Sequence, residues 1–444
     1  STLRRLGPRE NAVALYADAI GAALGNGRGA IVVVPEVREG SVVLGGLQRA
    51  FPDDAAVVHS GQQPAERSKA LWSVARGERR VVVGGRAAAL VPAFPASSPL
   101  GLVVVHAEED RTLKEQRSPY YDARVVAGLR AEAAGASLLL ASTSPTLRSW
   151  HLAAAGSPGR AWCRQEPSWA DTRAVWPIVE LLEPTRSVMP RRAVAAILAA
   201  WRAGTRILVL LPRREQTAAG PGPTEVAAYL RNVAPGADLQ RADPPALSQT
   251  VGAPAAALER ALRGQIIVAT EGALADVERP PVSTAVVLGV DALIHRPGGR
   301  AAEEAFATLW ELACIVARMP PAAGREPPRM LLETGEPGHH AVQAVVRGDY
   351  DFFARHELEE RRKADAPPFA TLVRVRAGAV TIGDETLDRL SGLPGTELLG
   401  PVQGRLGPEV LLKVGGVDDV LDGLRAVVVD APERLVVEMD PREW

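Results

Sequence analysis

Short runs of Val, Leu and Ile recur along the first third of the chain, each closed by turn or polar residues. They read AIVVVPEV at 30–37, AAVVHS at 55–60, RRVVVGG at 79–85, GLVVVH at 101–106 and ASLLLAST at 136–143. Runs this short and this uniformly apolar predict buried parallel strands. The stretches between them, such as AVALYADAIGAAL and PAERSKALWSVARG, carry helical spacing instead. Strand alternating with helix predicts a doubly wound parallel sheet.

A linker-like stretch at 162–190 follows, with Trp162, Trp169 and Trp176 at intervals of seven. These tryptophans could stack on bases, but packing of the linker onto the lobes is the better reading. A second strand–helix rhythm then begins, with TRILVLLP at 205–212, GQIIVAT at 264–270, TAVVLGVDA at 284–292 and RMLLET at 329–334. After about residue 337 a charged helix (349–364) leads into a small α+β tail. Within that helix Glu357–Arg361 and Glu359–Lys363 stand at i,i+4 spacing and predict ion pairs. His339 and His340 are expected in a turn, without a role. The expected fold class is α/β: two tandem RecA-like lobes with parallel sheets, at 1–185 and 186–340, and a C-terminal α+β domain at 341–444.

Composition narrows the chemistry. The chain has 444 residues, 47% hydrophobic and 23% charged, with a net charge of −1, so any contact with nucleic acid must come from local patches. Cys163 and Cys314 are the only cysteines and supply neither a disulfide framework nor a zinc site. With no signal-peptide pattern at Ser1, a reducing cytoplasm is expected, and Ser1 in place of Met reads as a fragment's start. No uninterrupted apolar run reaches the ~18 residues of a membrane span. Only four of the 51 basic residues are lysines, Lys69, Lys114, Lys363 and Lys413. None follows a Gly-rich turn opening a helix, so a G-x-x-x-x-G-K-[ST] phosphate loop does not exist here.

Several stretches, in order, resemble the PriA family of bacterial replication-restart helicases, of superfamily 2. Residues 348–377 follow its Tyr-x-x-Phe…Glu-Arg-Arg…Pro-Pro pattern through Tyr350, Phe353, Glu360, Arg361, Arg362, Pro367 and Pro368. Residues 57–94 keep His59, Ser60, Gly61, Glu66, Arg67 and Arg86. Residues 113–131 keep Lys114, Tyr121, Ala123, Arg124 and Arg130, and LLGPVQG and MDP near the C-terminus fit the family's last domain.

The resemblance implies an ATP- and Mg²⁺-dependent helicase, yet its nucleotide motifs are altered. Ala12 and Val13 stand where the family carries the phosphate-loop Lys and Thr. His106 and Ala107 replace the Asp and Glu of the acidic box, leaving Glu108 and Asp110. Met319 and Ala322 replace the two finger arginines, and Ala275 and Asp276 the Lys-Gly of lobe two. The family's zinc insertion would fall in the loop at 214–225, which is too short to hold it, and its N-terminal DNA-binding domain is not in this chain. Glu108 and Asp110 could still hold Mg²⁺, against a solvated strand end keeping old charges. No cofactor is expected: ATP and Mg²⁺ belong to the family, and zinc has no site.

What remains implied is recognition of branched or single-stranded DNA, with primosome and single-strand-binding proteins as partners and no membrane. Arg86, Tyr120, Tyr121, Arg124, Arg213 and Thr270 are the candidate DNA contacts, with structural salt bridging as the even alternative for the arginines and tyrosines. Whether the chain is an enzyme is left open. The expected function is a replication-restart protein without helicase activity. The alternatives are a working 3′–5′ helicase and a protein-interaction scaffold.

Overall fold

The computed structural model describes all residues except 36, 38–40, 60, 93, 157–160, 213–219, 244–253, 275–278, 321–325, 378–380, 405–406, 417 and 442–444; within the helix at 254–262, nothing is said of the side chains of 254–256 and 259, nor of those of 418 and 419. Its contacts divide into two compact units. The first comprises 1–113, 123–296 and 301–353; the second comprises 114–122, 297–300 and 354–444.

The first unit holds two wholly parallel sheets. One has seven strands in the spatial order Ala55–Val58, Val81–Gly84, Gly29–Val33, Leu100–His106, Ser137–Ser142, Thr2–Arg5 and Cys163–Gln165. The other has six, in the order Leu239–Ala242, Ile266–Ala269, Ile207–Leu210, Thr284–Val287, Arg329–Glu333 and Ile178–Leu182. All nine apolar runs singled out by pattern are strands. Their Val and Ile side chains face both ways into helices, as in the core of Val32, Val83, Val104 and Leu139 under Tyr16 and Ile20 of the helix Ala12–Gly25.

Four strands lie outside the pattern, and two of them fall in the stretch expected to be a linker. Cys163–Gln165 pairs with Thr2–Arg5 at the edge of the first sheet. Ile178–Leu182, ahead of the boundary expected at 185, pairs with Arg329–Glu333 in the second sheet. Between them Ser168 caps the helix Trp169–Val175. Trp176 packs as expected: its indole N–H donates to the Val345 carbonyl at 2.7 Å and its ring lies 4.4 Å from that of Trp310. His339 does more than sit in a turn, capping the helix His340–Arg347 through the Ala341 N–H.

The second unit is an antiparallel sheet in the order Thr396–Gly404, Gly407–Val414, Thr371–Ala377 and Leu435–Met439. Val373, Val375, Leu412 and Val414 form its core with Leu390 and Leu424. Residues 114–122 are tied to this sheet: the buried Lys114 donates to the Met439 carbonyl at 2.6 Å. The helix Tyr350–Lys363 carries both expected i,i+4 pairs. Among the described residues no helix is long and apolar enough to cross a membrane.

Candidate functional site: the cleft between the parallel-sheet lobes

Residues 6–11 join the strand Thr2–Arg5 to the helix Ala12–Gly25, at the C-terminal edge where doubly wound sheets bind ligands. In a phosphate loop the backbone N–H groups here point at the ligand. Here a carboxylate of the chain itself turns inward. Glu10 accepts the Gly7 N–H at 3.0 Å with one oxygen and meets Arg4 at 2.5 Å with the other. Asn11 caps the helix through the Ala14 N–H. Ala12 and Val13 pack beside the first core, and Val13 lies so close to Gly46 that a Cβ there would sit 2.7 Å from Cγ1. A methyl and an isopropyl group in apolar contact offer no ammonium and no metal-binding hydroxyl.

The opposite wall is the loop after the helix Ala301–Ala317. Arg9 donates from Nε to the Ala317 carbonyl at 2.7 Å and from Nη2 to the Met319 carbonyl at 2.9 Å. Arg318 donates in return to the Pro8 carbonyl at 3.3 Å. The two loops that would flank a triphosphate are thus hydrogen-bonded to each other. Met319, expected at the first finger position, lies in this loop; Ala322, Ala275 and Asp276 lie outside the described residues.

The acidic box is built as structure. His106 Nδ1 is 2.9 Å from the Tyr16 hydroxyl. Ala107 follows with φ 45°, a left-handed conformation uncommon for alanine. Glu108 corrects the expectation of a solvated strand end, for it is fully buried. Its carboxyl accepts the Thr146 N–H at 2.6 Å, the Thr146 hydroxyl at 3.1 Å and the Ser149 hydroxyl at 2.9 Å. It therefore fastens the start of the helix Leu147–Ala155, with both oxygens engaged. Burial pushes this carboxyl above its ordinary value, against the opposing pull of the Arg124 guanidinium and the three donors.

Glu109 is held well above the ordinary value by burial. Ser142 hydrogen-bonds to it, Glu108 and Glu311 lie near, and one buried oxygen has no hydrogen-bond partner. Asp110 accepts the Thr112 N–H at 2.7 Å in the next turn. Among the described residues no group of three or more His, Cys, Asp or Glu is placed to hold a metal ion. These donors do not fit Mg·ATP: the acid positions are a histidine and an alanine, and Glu108 is sealed in a helix cap.

The candidate DNA contacts scatter. Arg86 donates to the Thr112 carbonyl at 2.5 Å and Arg124 to the Glu108 carbonyl at 2.7 Å, so Arg124 braces the acidic-box backbone and Arg86 the turn just after it. Tyr120 accepts from Arg376 at 3.0 Å, with that guanidinium 5.4 Å from the ring centroid, within the second unit. Tyr121, half-buried in the same segment, accepts the Glu115 N–H through its carbonyl. Thr270 is 7% exposed at the end of the strand Ile266–Ala269. Arg213 and most of the loop expected to lack the zinc insertion lie outside the described residues. Arg9 and Glu10, which make the cleft what it is, escaped the sequence reading. Their signal was two charged side chains at positions where a phosphate loop presents bare backbone.

No family model matches the chain. The PriA replication restart protein of Bacillus subtilis is 25% identical over 420 residues, covering 81% of this chain and 51% of that protein. The probable PriA of Mycobacterium tuberculosis is 28% identical over 461 residues, covering 87% of this chain and 66% of its own length. This chain is similar in sequence to the PriA replication restart proteins. It spans about half the length of the Bacillus PriA. The structure of RecG bound to a three-way DNA junction matches with a TM-score of 0.50 at 18% identity, over 81% of this chain and 43% of RecG. That likeness and the two parallel sheets make the fold a tandem RecA-like pair with an antiparallel domain.

Proposed function

We propose that the chain acts in replication restart as a DNA-binding relative of PriA that recognises branched or single-stranded DNA and runs without ATP hydrolysis. Its partners in this reading are primosome and single-strand-binding proteins, and its compartment is the cytoplasm. The observation that carries the reading is Arg9, hydrogen-bonded across the cleft to the Ala317 and Met319 carbonyls. Phosphoryl transfer rests on positioning and charge neutralisation, and the groups that supply them are replaced at Ala12, Val13, His106, Ala107 and Met319. Loss of one finger arginine alone costs ~10³–10⁵ in rate. The domains proposed are a lobe at 1–185, a lobe at 186–340 and a C-terminal domain at 341–444, with the strand Ile178–Leu182 lent to the second sheet.

The test pairs calorimetry with a salt series. Forked DNA should bind at low salt, with log K falling linearly in log salt. Mg·ATP should give no binding heat. DNA-stimulated phosphate release overturns the loss of catalysis; absence of fork binding overturns the DNA reading and leaves the scaffold, which the net charge of −1 favours. The same series sorts Arg86 and Arg124. Removing an arginine that sits on a phosphate lowers the salt slope by about one, whereas removing one that braces backbone lowers stability and leaves the slope alone.

A further inference from the structure

The polar ties between the two parallel-sheet lobes gather along one helix, Ala301–Ala317, and the turn after it. Glu303 accepts the Leu147 N–H at 2.8 Å, Glu304 meets Arg111 at 3.4 Å, and Glu311 accepts the Thr143 hydroxyl at 2.8 Å. At the helix end donors run both ways across the seam. Arg9 reaches across to the Ala317 and Met319 carbonyls, and Arg318 reaches back to the Pro8 carbonyl. Carbonyls in the last turn of a helix lack intrahelical partners and carry the negative end of its dipole, so a guanidinium there is well matched.

In a two-lobe motor the triphosphate and the cations around it bridge the lobes, and closure follows nucleotide binding. Here the bridge is made of protein on both sides. We propose that Arg9 and Arg318 form a reciprocal latch that holds the lobes closed without nucleotide, so that closure is a resting property of the chain. This deepens the reading of the cleft given above and rests on it. A ligand shifts a two-state equilibrium only through differential affinity for the two states; a cleft whose loops already bond each other gives a triphosphate nothing to add.

Cys314 supplies a reporter. It lies on the same helix, fully buried, with Glu311 and Arg318 of its own lobe and Arg5 and Glu109 of the other around its thiol. Opening of the seam exposes it to a maleimide, which reacts with the thiolate. The experiment uses the full chain with the exposed Cys163 changed to serine. In that background Cys314 should label slowly, at a rate that Mg·ATP leaves unchanged. Arg9→Ala with Arg318→Ala should label at least about tenfold faster, the change in an opening equilibrium that corresponds to about 1.4 kcal/mol. Urea unfolding of the same variants separates opening from unfolding. Acceleration beyond the loss of global stability supports the latch. Acceleration that merely tracks global stability overturns it, as does an unchanged rate or a rate that responds to Mg·ATP. No DNA enters the assay, so this proposal and the DNA-binding reading fail separately.

Discussion

Glu108 and Thr146 meet through two hydrogen bonds, one from the Thr146 backbone N–H at 2.6 Å and one from its hydroxyl at 3.1 Å. An acid at a strand end that works in a motor faces solvent and metal; this one faces a helix start. Its removal should therefore cost stability. Glu108→Ala leaves the part-buried Thr146 N–H and the buried Ser149 hydroxyl without their acceptor, while the Thr146 hydroxyl keeps Ser149 Oγ at 3.1 Å, at about 1–3 kcal/mol for each unsatisfied group, partly offset by relief of carboxyl burial. Urea unfolding should show a net loss of about 2–4 kcal/mol, and Glu108→Gln a smaller one because its amide oxygen still accepts. An unfolding midpoint equal to that of the unaltered chain would refute the capping role.

Glu109 fixes a pH dependence. Burial, together with the nearby Glu108 and Glu311, raises its folded value well above 4.5, and the Ser142 hydrogen bond only partly opposes this. The folded state therefore favours the protonated acid. The stability this contributes is fully present below the unfolded value and is lost as pH rises through the folded one. Glu109→Gln is neutral throughout and should flatten that decline, matching or exceeding the parent at mildly alkaline pH. Unfolding midpoints across the range test this, and parallel profiles for the two proteins count against it.

The helix Tyr350–Lys363 holds two ion pairs of the same spacing and opposite worth. Glu357 and Arg361 meet at 2.9 Å with side chains 9% and 5% exposed, and Arg361 also donates to the Pro367 carbonyl. Glu359 and Lys363 meet at 3.3 Å with both mostly in water. Removing one partner of a buried pair costs about 3–5 kcal/mol, whereas an exposed i,i+4 pair is worth about 0.3–0.5. Arg361→Ala should lower stability severely, and Lys363→Ala within the error of a denaturant titration. Replacing Glu357 and Arg361 together by Leu and Met should recover most of the first loss.

The strands built from unbroken Val and Leu were legible because burial on both faces leaves one reading of such a run. Thr2–Arg5 was not, since two of its four residues are arginines; it is ordered by pairing with strands on both sides and by Arg5 meeting Glu166 at 3.2 Å. Cys163–Gln165 has three exposed side chains and no apolar signal, so backbone pairing alone makes it a strand. At the cleft, the residue types at Ala12, Val13, His106 and Met319 are read directly from the sequence. What fills the cleft is not, because Arg9 and Glu10 find partners far along the chain or across a turn, and spacing does not report such partners. The i,i+4 pairs of the helix Tyr350–Lys363 were legible for the opposite reason: helix geometry fixes the partner in advance.

Restoring the two missing phosphate-loop residues puts the whole account of the cleft at risk. If only Ala12 and Val13 stood between this chain and nucleotide binding, Ala12→Lys with Val13→Thr would recover it. The surrounding geometry says otherwise. Glu10 keeps its carboxylate on the Gly7 N–H, so an anion entering the loop meets a like charge where it needs a donor. Arg9 stays engaged with the Ala317 and Met319 carbonyls. No acid for the metal returns at His106 or Ala107. Threonine at 13 also places a hydroxyl in apolar contact beside Gly46, a swap that is not volume-neutral in its chemistry and costs about 1–2 kcal/mol. The double variant should therefore be less stable than its parent and still give no heat with Mg·ATP. Adding Arg9→Gly and Glu10→Ser to it should raise nucleotide affinity above that of the double variant, since that step removes the charges that fill the loop; calorimetry on the three proteins decides, and micromolar binding by the double variant alone would show that Arg9 and Glu10 do not close the cleft.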